Sequence, residues 1–171
     1  GALLQLITQT AWNDLDYLVV DMPPGTGDIQ LTLAQKVPVV GAVIVTTPQD
    51  LALLDAKKGV EMFRKVNIPV LGVVENMAIH ICSNCGHAEH LFGEGGGEKL
   101  ATQYNVELLA SLPLSMAIRS QADAGNPTTI ADPESQIAMI YQQMARSVGA
   151  RISQSGQIIA QSMPNITVSD D

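Results

Sequence analysis

The sequence contains few of the residues that mark disulfide-rich, nucleic-acid-binding or membrane proteins. Two cysteines in 171 residues are too few for a disulfide framework. The chain has 9 Lys and Arg residues and 17 Asp and Glu residues, which gives a net charge of −8. This charge disfavours binding to the backbone of a nucleic acid, because such binding needs clustered basic residues. No apolar run approaches the roughly 20 residues of a membrane span, and no basic segment precedes a signal-peptide core. We therefore expect a cytoplasmic protein that binds neither nucleic acid nor membrane.

Two further absences concern the start of the chain and its phosphate chemistry. The chain begins Gly1-Ala2-Leu3 without an initiator Met, which predicts that it starts inside a longer protein. It also has no G-x-x-x-x-G-K-[ST], the pattern whose backbone N–H groups and Lys bind nucleotide phosphates. The glycine-rich stretch Gly93–Gly97 is no substitute, because no Ser or Thr directly follows Lys99. Any nucleotide site in this chain is therefore expected to be partial.

Apolar runs alternate with amphipathic segments along the chain. Strands are predicted at Tyr17–Asp21, Val39–Thr46, Ile68–Val74 and Glu107–Ser111. Helices are predicted at Leu3–Trp12, Ile29–Lys36, Pro48–Val66, Gly97–Tyr104 and Pro133–Val148, with a capping box at Thr47–Asp50. Strands that are apolar on both faces are typical of parallel sheets between helical layers, so the fold class is α/β. Residues 1–150 are expected to form this domain, and residues 151–171 a polar, flexible tail.

A carboxylate ends the first predicted strand, and a glycine-rich turn follows it. Asp21 can hold Mg²⁺, because this hard cation prefers oxygen ligands. In the turn Pro23–Asp28, the glycines Gly25 and Gly27 let backbone N–H groups approach a phosphate. The alternative is an ordinary strand-to-helix turn in which Asp28 caps the next helix. The complete string PPGTGD favours a ligand site at the carboxyl end of the sheet.

The only two cysteines, Cys82 and Cys85, form a CxxC loop flanked by His80, His87 and His90. Two thiolates are half of a closed tetrahedral metal site. A second chain completes the site, or His87 and His90 complete a local zinc site, or the pair is a redox disulfide. The local zinc pattern is more cramped than a usual finger, and Gly86 after the loop favours a tight metal-binding turn over a redox helix.

Five motifs occur together and in a fixed order. They are the strand and turn through Asp28, Thr46–Asp50, Glu75–Met77, the Cys82/Cys85 loop and Phe92–Gly97. In this combination, residues 1–150 resemble the C-terminal part of the Mrp/ApbC family. Members of that family are P-loop ATPases of the MinD/ParA-like branch that carry iron–sulfur clusters. The resemblance implies a P-loop NTPase-like, mostly parallel sheet with helices on both faces. It places the N-terminal strands and the phosphate-binding loop (Walker A) upstream of residue 1.

The resemblance also assigns roles to individual residues. Asp21 would be the Walker B carboxylate that positions Mg²⁺ for catalysis, and Gly25, Thr26 and Gly27 would form a switch-like loop. Asn76 would contact the adenine base of ATP, with the backbone around Pro113 on the other edge of the base. From the residues alone, Asn76 is equally a turn former. Cys82 and Cys85 would bind a [4Fe–4S] cluster shared with the same pair of a second subunit.

The implied function is an ATP-dependent iron–sulfur cluster carrier or scaffold. It would act as a homodimer that transfers its cluster to apo-proteins. Because this sequence contains no phosphate-binding loop, we expect no ATP turnover by this chain alone. The alternatives are a zinc-stapled dimerisation module without catalysis and a partition-type ATPase of the same superfamily. The CxxC loop argues against the partition-type ATPase.

Overall fold

The structure alternates helices and strands, as the apolar pattern predicts. The computed structural model describes residues 2–22, 27, 30–31, 36–82 and 84–161. The helices are α1 (Ala2–Gln9), α2 (Asp50–Lys65), α3 (Gly96–Tyr104), α4 (Met116–Asp123), α5 (Thr128–Ala131) and α6 (Gln136–Gln161). The strands are β1 (Ala42–Thr46), β2 (Val70–Glu75), β3 (His80–Ile81), β4 (Ala88–Glu89) and β5 (Leu108–Ser111). None of the helices within the described ranges is long and apolar enough to cross a membrane. The chain divides into two units, residues 1–114 and 115–171.

A parallel sheet in the order β1-β2-β5 forms the centre of the first unit. The register pairs Thr46 of β1 with Glu75 of β2, and Glu75 in turn with Ser111 of β5. Strand β2 is buried along almost its whole length, as expected of a central parallel strand. Three predicted strands are thereby confirmed. The α/β class, with a parallel sheet flanked by helices, is confirmed as well.

Helices α2 and α3 pack on this sheet and on each other. Their apolar positions meet the central strand at Val60, Val73 and Leu100, which are at most 1% exposed. Burying each such side chain contributes about 1.5–3 kcal/mol to stability. This core holds the carboxyl ends of β1, β2 and β5 at one edge of the sheet.

The strand predicted at Tyr17–Asp21 is wrong: these residues are irregular in the structure. Tyr17 is 59% exposed and Val19 is 91% exposed. In the described sheet, β1 pairs with β2, and residues 17–21 pair with none of the strands. An apolar run does not become a strand without a neighbour to receive its backbone hydrogen bonds. Of the helix predicted at Ile29–Lys36, Gln30, Leu31 and Lys36 are helical, and the rest lies outside the described residues.

The capping box predicted at the start of α2 is not formed. The N-cap residue is Gln49, and its side chain makes no capping hydrogen bond. The Thr47 hydroxyl donates instead to Gln49 Oε1 at 3.0 Å, which draws it away from the helix N–H groups. Pro48 therefore precedes the helix and does not occupy its first turn. Asp50 remains in that turn, where its charge complements the helix dipole.

The second unit consists of α4, α5 and α6, with α5 packed against both of its neighbours. Ser115 caps α4 by accepting a hydrogen bond from Ala117 N at 3.2 Å. Ser135 accepts from Ala138 N at 3.2 Å, so α6 begins at Gln136 and not at the predicted Pro133. The helix then continues to Gln161, past residue 150, where the polar tail was predicted to begin.

Candidate functional site

Both cysteines lie at the tip of a short antiparallel hairpin, residues 80–89, which we call the cysteine hairpin. Strands β3 and β4 pair His80 with Glu89 and Ile81 with Ala88. Cys82 N donates to His87 O at 2.9 Å, and Gly86 N donates to Cys82 O at 2.8 Å. Gly86 has a φ of 73°, a conformation that glycine adopts without strain. The sequence had predicted a tight turn here, but strands of two residues are too short for a periodic signal.

The two thiols are free and accessible to solvent. Backbone N–H groups of Asn84 and Cys85 point at the Cys82 sulfur and, together with the Cys85 thiol, lower the pKa of Cys82. These donors stabilise the thiolate, which is the form of cysteine that binds metals. The turn therefore favours the thiolate form of Cys82.

Among the described residues, the histidines near the hairpin do not join the two cysteines in a group that could hold a metal ion. Nδ1 of His90 lies 2.8 Å from Ala78 O, and Nε2 lies 3.7 Å from Glu94 Oε1. His87 is exposed. Across the described ranges, three or more His, Cys, Asp or Glu side chains nowhere come together in a way that could hold a metal ion. The local site of two Cys and two His that the spacing allowed is thus not assembled.

Asn76 and Pro113 lie on neighbouring segments at the carboxyl ends of β2 and β5. Leu112 N donates to Glu75 O at 2.8 Å, which fixes the two segments side by side. Asn76 N donates to Thr46 O at 2.7 Å, and Asn76 Oδ1 accepts from Met77 N at 3.0 Å. The structure therefore brings together the two residues predicted to contact the base. It also supports the turn reading of Asn76, because Met77 adopts a φ of 56° directly after it.

The residues predicted for Mg²⁺ and phosphate are described only in part. Asp21 is exposed on irregular backbone. Gly27 is exposed, and its carbonyl accepts from Leu31 N at 3.3 Å. Gly25 and Thr26 lie outside the described residues. In the part of the chain that is described, no hydrogen bond or ion pair joins Asp21 to Asn76 or to the cysteine hairpin.

Sequence reasoning missed the role of Glu75. This carboxylate is only 4% exposed, and its Oε2 accepts a hydrogen bond from Gly97 N in the first turn of α3. The N-cap residue of α3 is Gly95, which has no side chain to cap the helix. Glu75 supplies the missing acceptor from the neighbouring strand, and its charge complements the helix N-terminus. The sequence does contain a signal for this capping role: a Glu ends an apolar strand, and a run of glycines precedes a helix.

Glu75 also explains why Gly97 has no side chain. A Cβ at Gly97 would lie 2.8 Å from Glu75 Cβ and 3.0 Å from Glu75 Oε2. Similarly, a Cβ at Gly96 would lie 2.9 Å from Pro48 O. The glycines of Phe92–Gly97 thus allow α3 to approach the ends of β1 and β2.

Comparison with protein families and curated proteins gives concordant matches. The ParA family model described as NUBPL iron-transfer P-loop NTPase matches residues 1–149. The iron-sulfur cluster carrier protein of Pseudomonas fragi is 85% identical over 149 residues, which cover 87% of this chain and 52% of that protein. The carrier protein of Escherichia coli K12 is 60% identical over 158 residues, covering 92% and 43%. The mouse iron-sulfur cluster transfer protein NUBPL is 50% identical over 155 residues, covering 91% and 49%. The chain spans about half the length of these relatives.

Solved structures agree with these matches. A nucleotide-binding protein from Archaeoglobus fulgidus in complex with ADP superposes with a TM-score of 0.67 and 39% identity, over 79% of this chain and 54% of that one. The cell division ATPase MinD of Pyrococcus furiosus gives a TM-score of 0.51 and 26% identity, over 65% and 43%. Both support a P-loop NTPase-like arrangement of the sheet and its helices.

Proposed function

Because the chain belongs to the NUBPL iron-transfer group of ParA-type P-loop NTPases, we propose that it is the cluster-binding part of an ATP-dependent iron–sulfur carrier. Its cargo would be a [4Fe–4S] cluster that is passed on to apo-proteins. The observation that carries this proposal is the pair of free, accessible thiols at the tip of the cysteine hairpin. A compartment that keeps thiols reduced, such as the cytoplasm, suits them.

The number of ligands supports a homodimer. A [4Fe–4S] cluster has four corners and is usually held by four thiolates, whereas one chain provides two. Across the described ranges, no third metal-binding side chain joins Cys82 and Cys85. A second copy related by a twofold axis would supply the other pair. Ile81 in the hairpin is 56% exposed, and Leu91 just after the hairpin is 50% exposed. The second copy would cover both side chains and exclude water from the cluster.

The thiols are also suited to releasing the cluster. The N–H groups that lower the pKa of Cys82 keep its thiolate stable both before uptake and after release. During transfer, a thiolate of the recipient would replace Cys82 or Cys85 at an iron atom. This exchange forms one Fe–S bond, breaks another and leaves the oxidation state of the cluster unchanged. The exposed tip gives the recipient access.

The nucleotide site would be formed around Asn76, at the start of the segment that leads into the cysteine hairpin. The side chain of Asn76 has an amide donor and an acceptor, a pair that matches the edge of adenine, and Pro113 lies on the neighbouring segment. We further propose that Asp21 positions Mg²⁺ and that Gly25, Thr26 and Gly27 contact the phosphates. When bound, Mg²⁺ would neutralise charge on the phosphates. ATP would act mainly as a switch on the dimer.

The test is anaerobic reconstitution of the chain with iron and sulfide. We expect a brown protein with about two iron atoms per chain, half of a four-iron cluster. Cys82→Ser and Cys85→Ser should each abolish iron binding, because each variant leaves two corners of the shared cluster empty. His87→Ala is the matched control: it alters an exposed side chain of the same loop and should leave the iron content unchanged.

Two outcomes would overturn the proposal. One zinc per chain that is lost on His87→Ala would identify a local zinc site. A colourless dimer with one zinc per two chains would identify the zinc-stapled dimerisation module instead, since four thiolates would then hold a single ion.

A further inference from the structure

The incoming strand of the cysteine hairpin is fixed to the segment that contains Pro113. Ala78 N donates to Leu112 O at 2.9 Å, and Leu114 N donates to Ile79 O at 2.8 Å. His80 then forms an isolated parallel bridge with Leu114. We call the turn at Asn76 and Met77 the Asn76 turn. The backbone between this turn and the hairpin is therefore hydrogen-bonded along its whole length.

The outgoing strand returns to the same turn through one side chain. His90 follows β4 directly, and its Nδ1 lies 2.8 Å from Ala78 O. Because a carbonyl oxygen only accepts hydrogen bonds, His90 Nδ1 carries the proton and donates. Ala78 thus uses its N–H to hold the incoming side and its C=O to hold the outgoing side.

The Asn76 turn is itself tightly specified. Asn76 Oδ1 accepts from Met77 N, and Met77 adopts a left-handed conformation that costs a non-glycine residue about 1 kcal/mol or more. Glu75, directly before Asn76, is buried and bonded to α3. Because these hydrogen bonds fix the Asn76 turn, we expect it to move as a unit. A displacement of Asn76 would then also displace Ala78 O and its hydrogen-bond partner His90.

We propose that His90 is a positioning residue that couples the Asn76 turn to the placement of the two thiols. The inference rests on the proposed function, because it gives the base site and the cluster site one shared mechanical element. Contact of a nucleotide base with Asn76 would move Ala78 O, and the His90 hydrogen bond would convey that movement to the outgoing strand of the hairpin. Without His90, only the incoming strand would respond.

The first measurement is amide hydrogen exchange of the complete chain without cluster or nucleotide. His90→Ala should speed exchange at Cys82 N and Gly86 N, the two amides that close the hairpin, by about two- to twelvefold, as loss of one neutral hydrogen bond implies. His90→Asn should restore slow exchange, because its amide nitrogen takes the position of Nδ1. His87→Ala should change nothing. Exchange at Val73 N in the core should stay constant in all variants, whereas general destabilisation would raise it.

The second measurement is a double-mutant cycle with Asn76→Ala, which removes the bond to Met77 N. If His90 conveys changes in the turn, Asn76→Ala should speed hairpin exchange in the wild-type background but add little in the His90→Ala background. Additive effects, or exchange that His90→Ala leaves unchanged, would overturn the coupling. This readout needs neither iron nor nucleotide, so failure of the coupling is distinct from a failed reconstitution, which would overturn the proposed function.

Discussion

The contact between Gly97 and Glu75 can be tested by adding one methyl group. In Gly97→Ala, the new Cβ would lie 2.8 Å from Glu75 Cβ, closer than real Cβ contacts allow. Ala is favoured over Gly inside a helix by about 1 kcal/mol. Against this, overpacking costs about 1–3 kcal/mol, and weakening the bond from Gly97 N to the Glu75 carboxylate costs about 1.5–3 kcal/mol. We therefore expect a net loss of about 1.5–5 kcal/mol in the free energy of unfolding.

Gly59→Ala is the matched control, because Gly59 lies inside α2 and has space for a methyl group. Its Cβ would lie 3.6 Å from Ile44 Cδ1, an ordinary van der Waals contact. The helix preference for Ala should then stabilise the protein by up to about 1 kcal/mol. Urea unfolding followed by circular dichroism measures both variants, with equal m-values showing that the unfolded states are comparable.

The decisive result is that the two substitutions change the free energy of unfolding in opposite directions. If Gly97→Ala stabilises the protein as much as Gly59→Ala does, then Glu75 moves aside at no cost. Such a result would show that α3 is not held tightly against the end of β2.

Two further predictions concern the thiols and the proposed Mg²⁺ ligand. Since N–H donors lower the pKa of Cys82, this residue should react with iodoacetamide at lower pH in the folded chain than in the urea-unfolded chain. Any stabilisation by its thiolate should be lost as pH falls through the lowered pKa. Identical pH profiles of Cys82 in the two states, measured by peptide mass spectrometry, would contradict this. Asp21→Ala should leave the free energy of unfolding within about 0.5 kcal/mol of wild type, because Asp21 is exposed. In a chimera that supplies a phosphate-binding loop, the same substitution should abolish Mg²⁺-dependent ATP hydrolysis, and retained hydrolysis would exclude Asp21 as the metal-positioning carboxylate.

The sheet could be predicted where the apolar pattern and the strand neighbours agree. The runs that became β1, β2 and β5 are apolar on both faces, and each pairs with another strand of the sheet. The run at Tyr17–Val20 has the same composition but no strand partner among the described residues, and it is irregular. Composition records the preference of a segment, whereas strand formation also depends on what lies beside it.

The candidate site was predictable where chemistry is local in sequence. The CxxC spacing and the following Gly86 predicted a tight turn, and the structure forms a tight turn with hydrogen bonds between Cys82, Gly86 and His87. Metal binding at this turn stays a prediction. Glu75 acts through Gly97 N, and His90 acts through Ala78 O. Both partners are backbone atoms of residues that are distant in sequence. Neither periodicity nor residue spacing encodes such pairs, so both roles required the structure.

The shared use of Ala78 sets a rule for transplanting the cysteine hairpin into another protein. Its incoming strand depends on Leu112 and Leu114, and its outgoing strand depends on Ala78 O. A graft of residues 80–89 alone would leave these backbone groups behind. Inserting a single residue between Ala78 and His80 would turn β3 over and direct Ile81 to the opposite face. The smallest portable unit is therefore two separate stretches, residues 75–97 and 112–114, placed on adjacent parallel strands.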